Sequence, residues 1–123
     1  MGPADRLHLG KGIQTNETVF IITNSGHVWI DDYVLLGFHV KLLCGHHDYT
    51  LRGIERMPFP SEGFDIKIGK GAWLASGCII IGPCNIGDNA VIGAGSVVTH
   101  DIPAEQLWAG NPARFIKDIT FKT

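Results

Sequence analysis

The sequence predicts an all-β chain: a solenoid of about four coils built from six-residue units, with one long loop and a short C-terminal cap. Three observations predict it. From Ile68 to Val98 an aliphatic residue returns at every sixth position. The same register reappears upstream at Ile30, Leu36 and Leu42. The 123 residues include 16 glycines, with neither the three-residue period of collagen nor the composition of a linker, so the glycines need a local cause.

The middle of the chain reads in sixes as IGKGAW, LASGCI, IIGPCN, IGDNAV, IGAGSV and VTHDIP. The first position is Ile68, Leu74, Ile80, Ile86, Ile92 or Val98. The second is Gly or Ala in four of the six units. The fifth is small or apolar: Ala72, Cys78, Cys84, Ala90, Ser96, Ile102. A period of six is neither the 3.6 of a helix nor the strict alternation of a strand. A unit this short buries nothing alone and gains its core only by stacking. Short parallel strands joined by tight turns, three to a coil, satisfy the pattern. The aliphatic residue then faces inward, the small fifth residue fills the corner, and Gly eases the turn.

Upstream, Val34 and Val40 hold the fifth places, and a weaker set begins at Leu9, Thr15 and Ile21. Two steps break the count: a small one at Thr23–Val28 and a long one from about His46 to Lys67. The chain is thus expected to be a single domain, 1–123. The β-helix covers 8–103, a loop at 48–67 interrupts it, and a cap at 104–123 folds back over the last coil.

Composition narrows the function classes. The formal net charge is −2 and no basic run exists, which argues against nucleic acid as a partner. The N-terminus lacks an apolar signal core, and no apolar run approaches membrane-spanning length. The three cysteines show no metal spacing and no paired framework, as expected of a reducing cytoplasm. Cys78 and Cys84 fall in the corner-filling series; Cys44 lies outside it, beside a His pair. A soluble cytoplasmic protein is expected.

The repeat, the phrase Ile92-Gly-Ala-Gly-Ser-Val-Val-Thr99, the segment Gly45-His-His-Asp-Tyr49 and the tail Ala109-Gly-Asn-Pro-Ala-Arg114 together resemble the hexapeptide-repeat acetyltransferases. The likeness is greatest to the galactoside, maltose and nodulation acetyltransferases and the polysaccharide O-acetyltransferases, and runs from about Leu9 to Lys117. It implies a left-handed parallel β-helix with a long loop after the third-coil break. It also implies acetyl-CoA as donor, no metal, and a homotrimer with active sites between subunits. Galactoside-type members carry a helical segment ahead of the first coil. About eight residues precede Leu9 here, so acceptor contacts made by that segment have no counterpart to carry over.

Acyl transfer from a thioester needs a base for the acceptor proton, and imidazole suits that work near neutrality. It also needs a donor for the oxyanion of the tetrahedral intermediate. Of the six histidines, His8, His27 and His39 read as surface residues. His46 and His47 sit where the period breaks into a loop, and loops on a rigid scaffold tend to carry function. In the family the base follows a first-position aliphatic by seventeen residues. From Ile30 that spacing reaches His47, the expected base, with His46 as the fallback. His47-Asp48-Tyr49 also resembles a segment of the polysaccharide branch, and Asp48 is a candidate to orient an imidazole.

The resemblance places the donor site at Ser76, whose backbone N–H is the candidate oxyanion donor, and at Ala94 along the pantetheine groove. Thr99 and His100 match a Thr-Lys pair near the cofactor, with His weakening any phosphate contact. Arg114 and Lys117 match two basic positions near the nucleotide end. Lys at the second keeps the charge and loses the bidentate fork. Trp73 is expected at a subunit contact and Trp108 against the adenine. On the acceptor side, Asn16 and Asn24 match sugar-contacting positions, although either also suits a turn.

The expected activity is O-acetylation of a sugar or glycan-precursor hydroxyl in a ternary complex. N-acetylation of an amino-sugar nucleotide is the rival chemistry, and a non-catalytic trimeric scaffold is the rival class. A β-helical zinc carbonic anhydrase would need a histidine pair five residues apart, and no two histidines here have that spacing. Nothing in the sequence marks Cys44 as an activated thiolate for a ping-pong route.

Overall fold

The computed structural model describes residues 4–122. A short 3-10 turn, Ala4–Arg6, leads into twelve short strands that wind as four coils. The first coil holds β1 (Leu7–Leu9), β2 (Gln14–Thr15) and β3 (Phe20–Ile22). The second holds β4 (Val28–Ile30), β5 (Leu35–Leu36) and β6 (Lys41–Leu43). After the loop come β7 (Ile66–Ile68), β8 (Trp73–Leu74) and β9 (Ile79–Ile81). The fourth coil is β10 (Cys84–Ile86), β11 (Val91–Ile92) and β12 (Val97–Val98). Like strands of successive coils pair in parallel, giving three sheets that form the faces of a prism. Among the described residues, no helix is long and apolar enough to cross a membrane.

The six-residue register explains the core. First-position residues from Ile30 to Val98 are at most 2% exposed, as are the fifth-position residues Val34, Val40, Ala72, Cys78, Cys84 and Ala90. They form one continuous column of apolar side chains. Each aliphatic side chain so buried contributes roughly 1.5–3 kcal/mol relative to exposure. The first coil is different. Leu9, in register with the buried Ile30, is 61% exposed, because among the described residues its strand has a neighbour on one side only.

Two glycine positions do different work. The fourth residue of a unit turns the corner in the left-handed region, as at Gly77 (φ +77) and Gly95 (φ +71). Tyr33, His39 and Asn89 adopt the same conformation at the same place in their units. The second-position Gly69 instead allows close approach between coils: a Cβ there would lie 2.7 Å from the Asp88 amide nitrogen. Asp88 Oδ1 accepts the Lys70 N–H at 2.9 Å, and Asp32 accepts that of Lys11 at 2.9 Å, so side-chain oxygens bridge coil to coil at the corners.

Two expectations change. The long interruption falls between the second and third coils, so two complete coils lie on each side of it. The tail does not fold straight back. Ile102 bridges Ile86 in parallel, and β13 (Gln106–Gly110) adds to β11, so the chain starts a fifth turn before reversing into the antiparallel β14 (Ala113–Asp118). Backbone pairing needs no aliphatic code, which is why the six-residue pattern ends before the winding does. Trp108, in register with Ile92, packs on the apolar column, and its indole N–H donates to Gln106 Oε1 at 3.0 Å. That anchoring places its ring at the end of the core.

Candidate active site

The loop leaves the solenoid at Cys44, a fully buried residue whose N–H donates to the Ile22 carbonyl at 3.0 Å. Gly45 follows with no room for a side chain, since a Cβ would lie 2.7 Å from Ile22 Cγ2. His46 is next. Its N–H donates to Ser25 Oγ at 3.1 Å, and its ring lies flat on Phe64, with centroids 4.2 Å apart and planes 15° apart. Its Nε2 is shielded from solvent and has no hydrogen-bond partner among the described residues. His47 is exposed, with its ring 4.4 Å from that of Phe59 and tilted by 31°. Both imidazoles border one cavity of about 570 Å³, together with Asp48, Tyr49, Phe64, Pro83 and Thr99.

Asp48 does not hold an imidazole here. Its Oδ1 accepts the Thr50 hydroxyl at 2.6 Å and the Thr50 N–H at 3.0 Å, closing a local turn. Those bonds hold its carboxyl below the usual carboxylate range. The 3-10 turn at Gly53–Arg56 follows, and the Arg56 guanidinium folds back onto the carbonyls of Leu51 (2.8 Å) and Tyr49 (3.1 Å).

A second set of expected residues meets elsewhere. Asn16, Ser76 and Ala94 line a groove with Gly37, Phe38 and Trp73. Ser76 Oγ accepts the Phe38 N–H at 3.1 Å, which fixes the corner beside it. Asn16 is partly committed, since its amide donates to the Leu36 carbonyl at 3.2 Å. Asn24 lies beside Gly45, where an added Cβ would be 3.6 Å from its own, and lines neither the groove nor the imidazole cavity. Thr99 and His100 diverge. Thr99 faces the imidazole cavity, while His100 stands edge-on to Trp108 at 5.3 Å, its Nδ1 3.0 Å from the Asp101 carbonyl. Arg114 and Lys117 are exposed on β14. Within one chain, then, the imidazoles and the Ser76 groove are separate sites.

Two histidines read as surface residues are half-buried. His8 Nε2 lies 2.8 Å from His27 Nδ1, and both rings stack with Trp29 at 4.9 and 5.2 Å. Parallel pairing causes this by setting His8 beside Trp29 on adjacent strands. Ser25, Phe64 and Arg6 were missed outright. The Arg6 guanidinium reaches across 55 residues of sequence to the Ser61 carbonyl at 2.8 Å. The three cysteines are buried and their thiols are held in the protonated form. Burial, with the Asp65 carboxylate adding to it, pushes the Cys44 thiol up to about 11. Burial alone raises Cys78 to about 11, and burial with Asp101 raises Cys84 to about 12.

The stacked parallel coils, the interrupting loop with its imidazole pair and the separate groove define a parallel β-solenoid with two candidate sites. Residues 65–100 match the family described as "Bacterial transferase hexapeptide (six repeats)". The galactoside O-acetyltransferase of Escherichia coli (strain K12) is 38% identical over 116 residues, covering 92% of this chain and 54% of the relative. A maltose O-acetyltransferase from Clostridium difficile 630 is 31% identical with a TM-score of 0.70, covering 94% of this chain and 67% of that one. A galactoside acetyltransferase solved in complex with coenzyme A is 34% identical with a TM-score of 0.80, covering 94% of this chain and 56% of that chain.

This chain belongs to the hexapeptide-repeat acetyltransferase family, and its winding is the left-handed parallel β-helix of that family. It spans about half the length of the curated relatives it matches, 54% of the E. coli protein.

Proposed function

We propose that the protein transfers an acetyl group from acetyl-CoA to a hydroxyl of a sugar or glycan precursor, directly, in a ternary complex. The observation that carries this reading is the paired imidazoles bordering one cavity at the break in the solenoid. The galactoside and maltose O-acetyltransferases among its relatives support it, as does the coenzyme A complex of one of them.

His47 is the first choice of base, because its ring is open to an incoming acceptor and the spacing from Ile30 selects it. It takes the hydroxyl proton as the oxygen attacks the thioester carbonyl. The backbone N–H of Ser76 steadies the oxyanion. Collapse breaks the C–S bond, and the same proton passes to the departing sulfur, releasing the CoA thiol. The small residues Ala75, Gly93 and Ala94 leave the groove wall low enough for a pantetheine chain. Thr99, His100, Arg114 and Lys117 extend the donor site, and Asn16 and Asn24 are offered to the acceptor. The separation of groove and imidazoles in one chain supports a homotrimer that joins them across a subunit boundary. With all three thiols raised well above neutrality, a route through an acetyl-cysteine is disfavoured.

A second reading makes His46 the base. Its buried, unpartnered Nε2 favours this, since an acceptor hydroxyl would supply the missing partner. Thiol release from acetyl-CoA, measured with a panel of sugars and amino sugars, tests both readings. His47→Ala is expected to lose roughly 10²–10⁴ of kcat, the usual worth of a general base. An unchanged rate there with a collapse in His46→Ala transfers the role to His46. Turnover with amines alone would make the reaction N-acetylation. Absence of any CoA binding would leave a non-catalytic scaffold.

A further inference from the structure

Ser25 is fully buried, polar, and placed in the small break between the first two coils. Three of its polar groups bond to the two ends of the long loop. Its N–H donates to the Cys44 carbonyl at 2.7 Å, and its Oγ accepts the His46 N–H at 3.1 Å. Its carbonyl accepts the Phe64 N–H at 3.2 Å, where the loop returns. One residue of the neighbouring coil therefore gathers the departure and the return of the segment that carries both imidazoles.

The junction is rigid on both flanks. A Cβ at Gly26 would lie 2.8 Å from Cys44 Sγ, so the strands close tightly there. The His27 N–H donates to Asp65 Oδ1 at 2.8 Å, fixing the residue after Phe64. Phe64 then lays its ring on that of His46, 4.2 Å away and nearly parallel. Bonds to Ser25 set the backbone at both ends, and the aromatic contact sets the imidazole plane.

We propose that Ser25 and Phe64 are positioning residues for the His46–His47 pair, Ser25 through its hydroxyl, which holds the His46 backbone, and Phe64 by fixing the His46 ring. The proposal rests on reading this cavity as the acyl-transfer site. Neither residue is assigned to touch the substrate. A displacement of about 1 Å in a reacting group can cost on the order of 100-fold in rate, so the effect belongs in kcat.

The experiment compares wild type with Ser25→Ala, Phe64→Leu and Phe64→Tyr. Steady-state rates are taken with acetyl-CoA and the preferred sugar, and the imidazole proton resonances of the intact protein are recorded by NMR. The His46 signals are assigned by their loss in His46→Ala. Ser25→Ala and Phe64→Leu are expected to lower kcat by about tenfold or more, with KM for acetyl-CoA unchanged. Phe64→Tyr, which keeps the stacked ring, is expected to restore most of the rate. Loss of the Phe64 ring should move the His46 ring protons downfield, and Phe64→Tyr should return them. Unchanged kcat in Ser25→Ala and Phe64→Leu overturns the proposal, even where melting temperature falls. So does a Phe64→Tyr variant no better than Phe64→Leu. If wild type transfers no acetyl group, the acyl-transfer reading fails on its own. The resonances then decide the positioning claim alone: His46 signals that do not move in Ser25→Ala and Phe64→Leu overturn it.

Discussion

Glycine substitutions separate the two physical demands of the repeat. At Gly77 the backbone is left-handed (φ +77), and the nearest atom to an added Cβ is 3.7 Å away. Gly77→Ala should therefore cost only the conformational term, about 1–2 kcal/mol, and Gly77→Asn less. At Gly69 the Cβ would meet the Asp88 amide nitrogen at 2.7 Å and the Gly87 carbonyl carbon at 2.8 Å. Backbone cannot swing aside as a side chain can, so Gly69→Ala is expected to lose more stability than Gly77→Ala. Urea unfolding of the two variants checks the order. The second-position glycine was legible in the sequence as a turn residue, but its cause was not. Only stacking shows that it makes room for the coil above.

At the scale of the strand, one column illustrates what periodicity can report. Thr15, Leu36, Leu74, Ile92 and Trp108 share a register through the second sheet. Leu74 is fully buried between coils, and Leu74→Ala is expected to cost about 2–5 kcal/mol. Thr15 is exposed at the end coil, and Thr15→Ala should lie within about 0.5 kcal/mol of wild type. Thermal melts of both read the contrast. The same contrast explains the legibility of the fold. Ile68 to Val98 was clear because coils there have neighbours. Leu9 and Thr15 were faint because, among the described residues, their strands lie at the edges of their sheets. Trp108 was unreadable because it fills a first-position place with a residue outside the aliphatic code.

For the whole molecule, the thiols predict a pH dependence. Cys44 and Cys78 titrate near 9.0 when unperturbed and about 11 in the fold. Unfolded chain therefore releases these protons first, and stability falls as pH rises from about 9 toward 11, with no thiol contribution below. Replacing the cysteines by Ala should flatten that part of a stability-against-pH curve measured in urea, leaving the slope due to other groups. The site was legible to a different depth. His46 and His47 stood out because the repeat fails there. Ser25 and Phe64 did not, because a buried serine in a turn has no period and its partners lie far along the chain.

The junction at Ser25 also bears on how this scaffold tolerates change. Departure and return of the loop bond to one residue, so its two ends stay together whatever the contour between. Closing such a loop depends only logarithmically on its length, and doubling it would add about 0.6 kcal/mol. The segment between Tyr49 and Gly63 is thus a graft site, where a new acceptor surface can be spliced in while the coils keep their register.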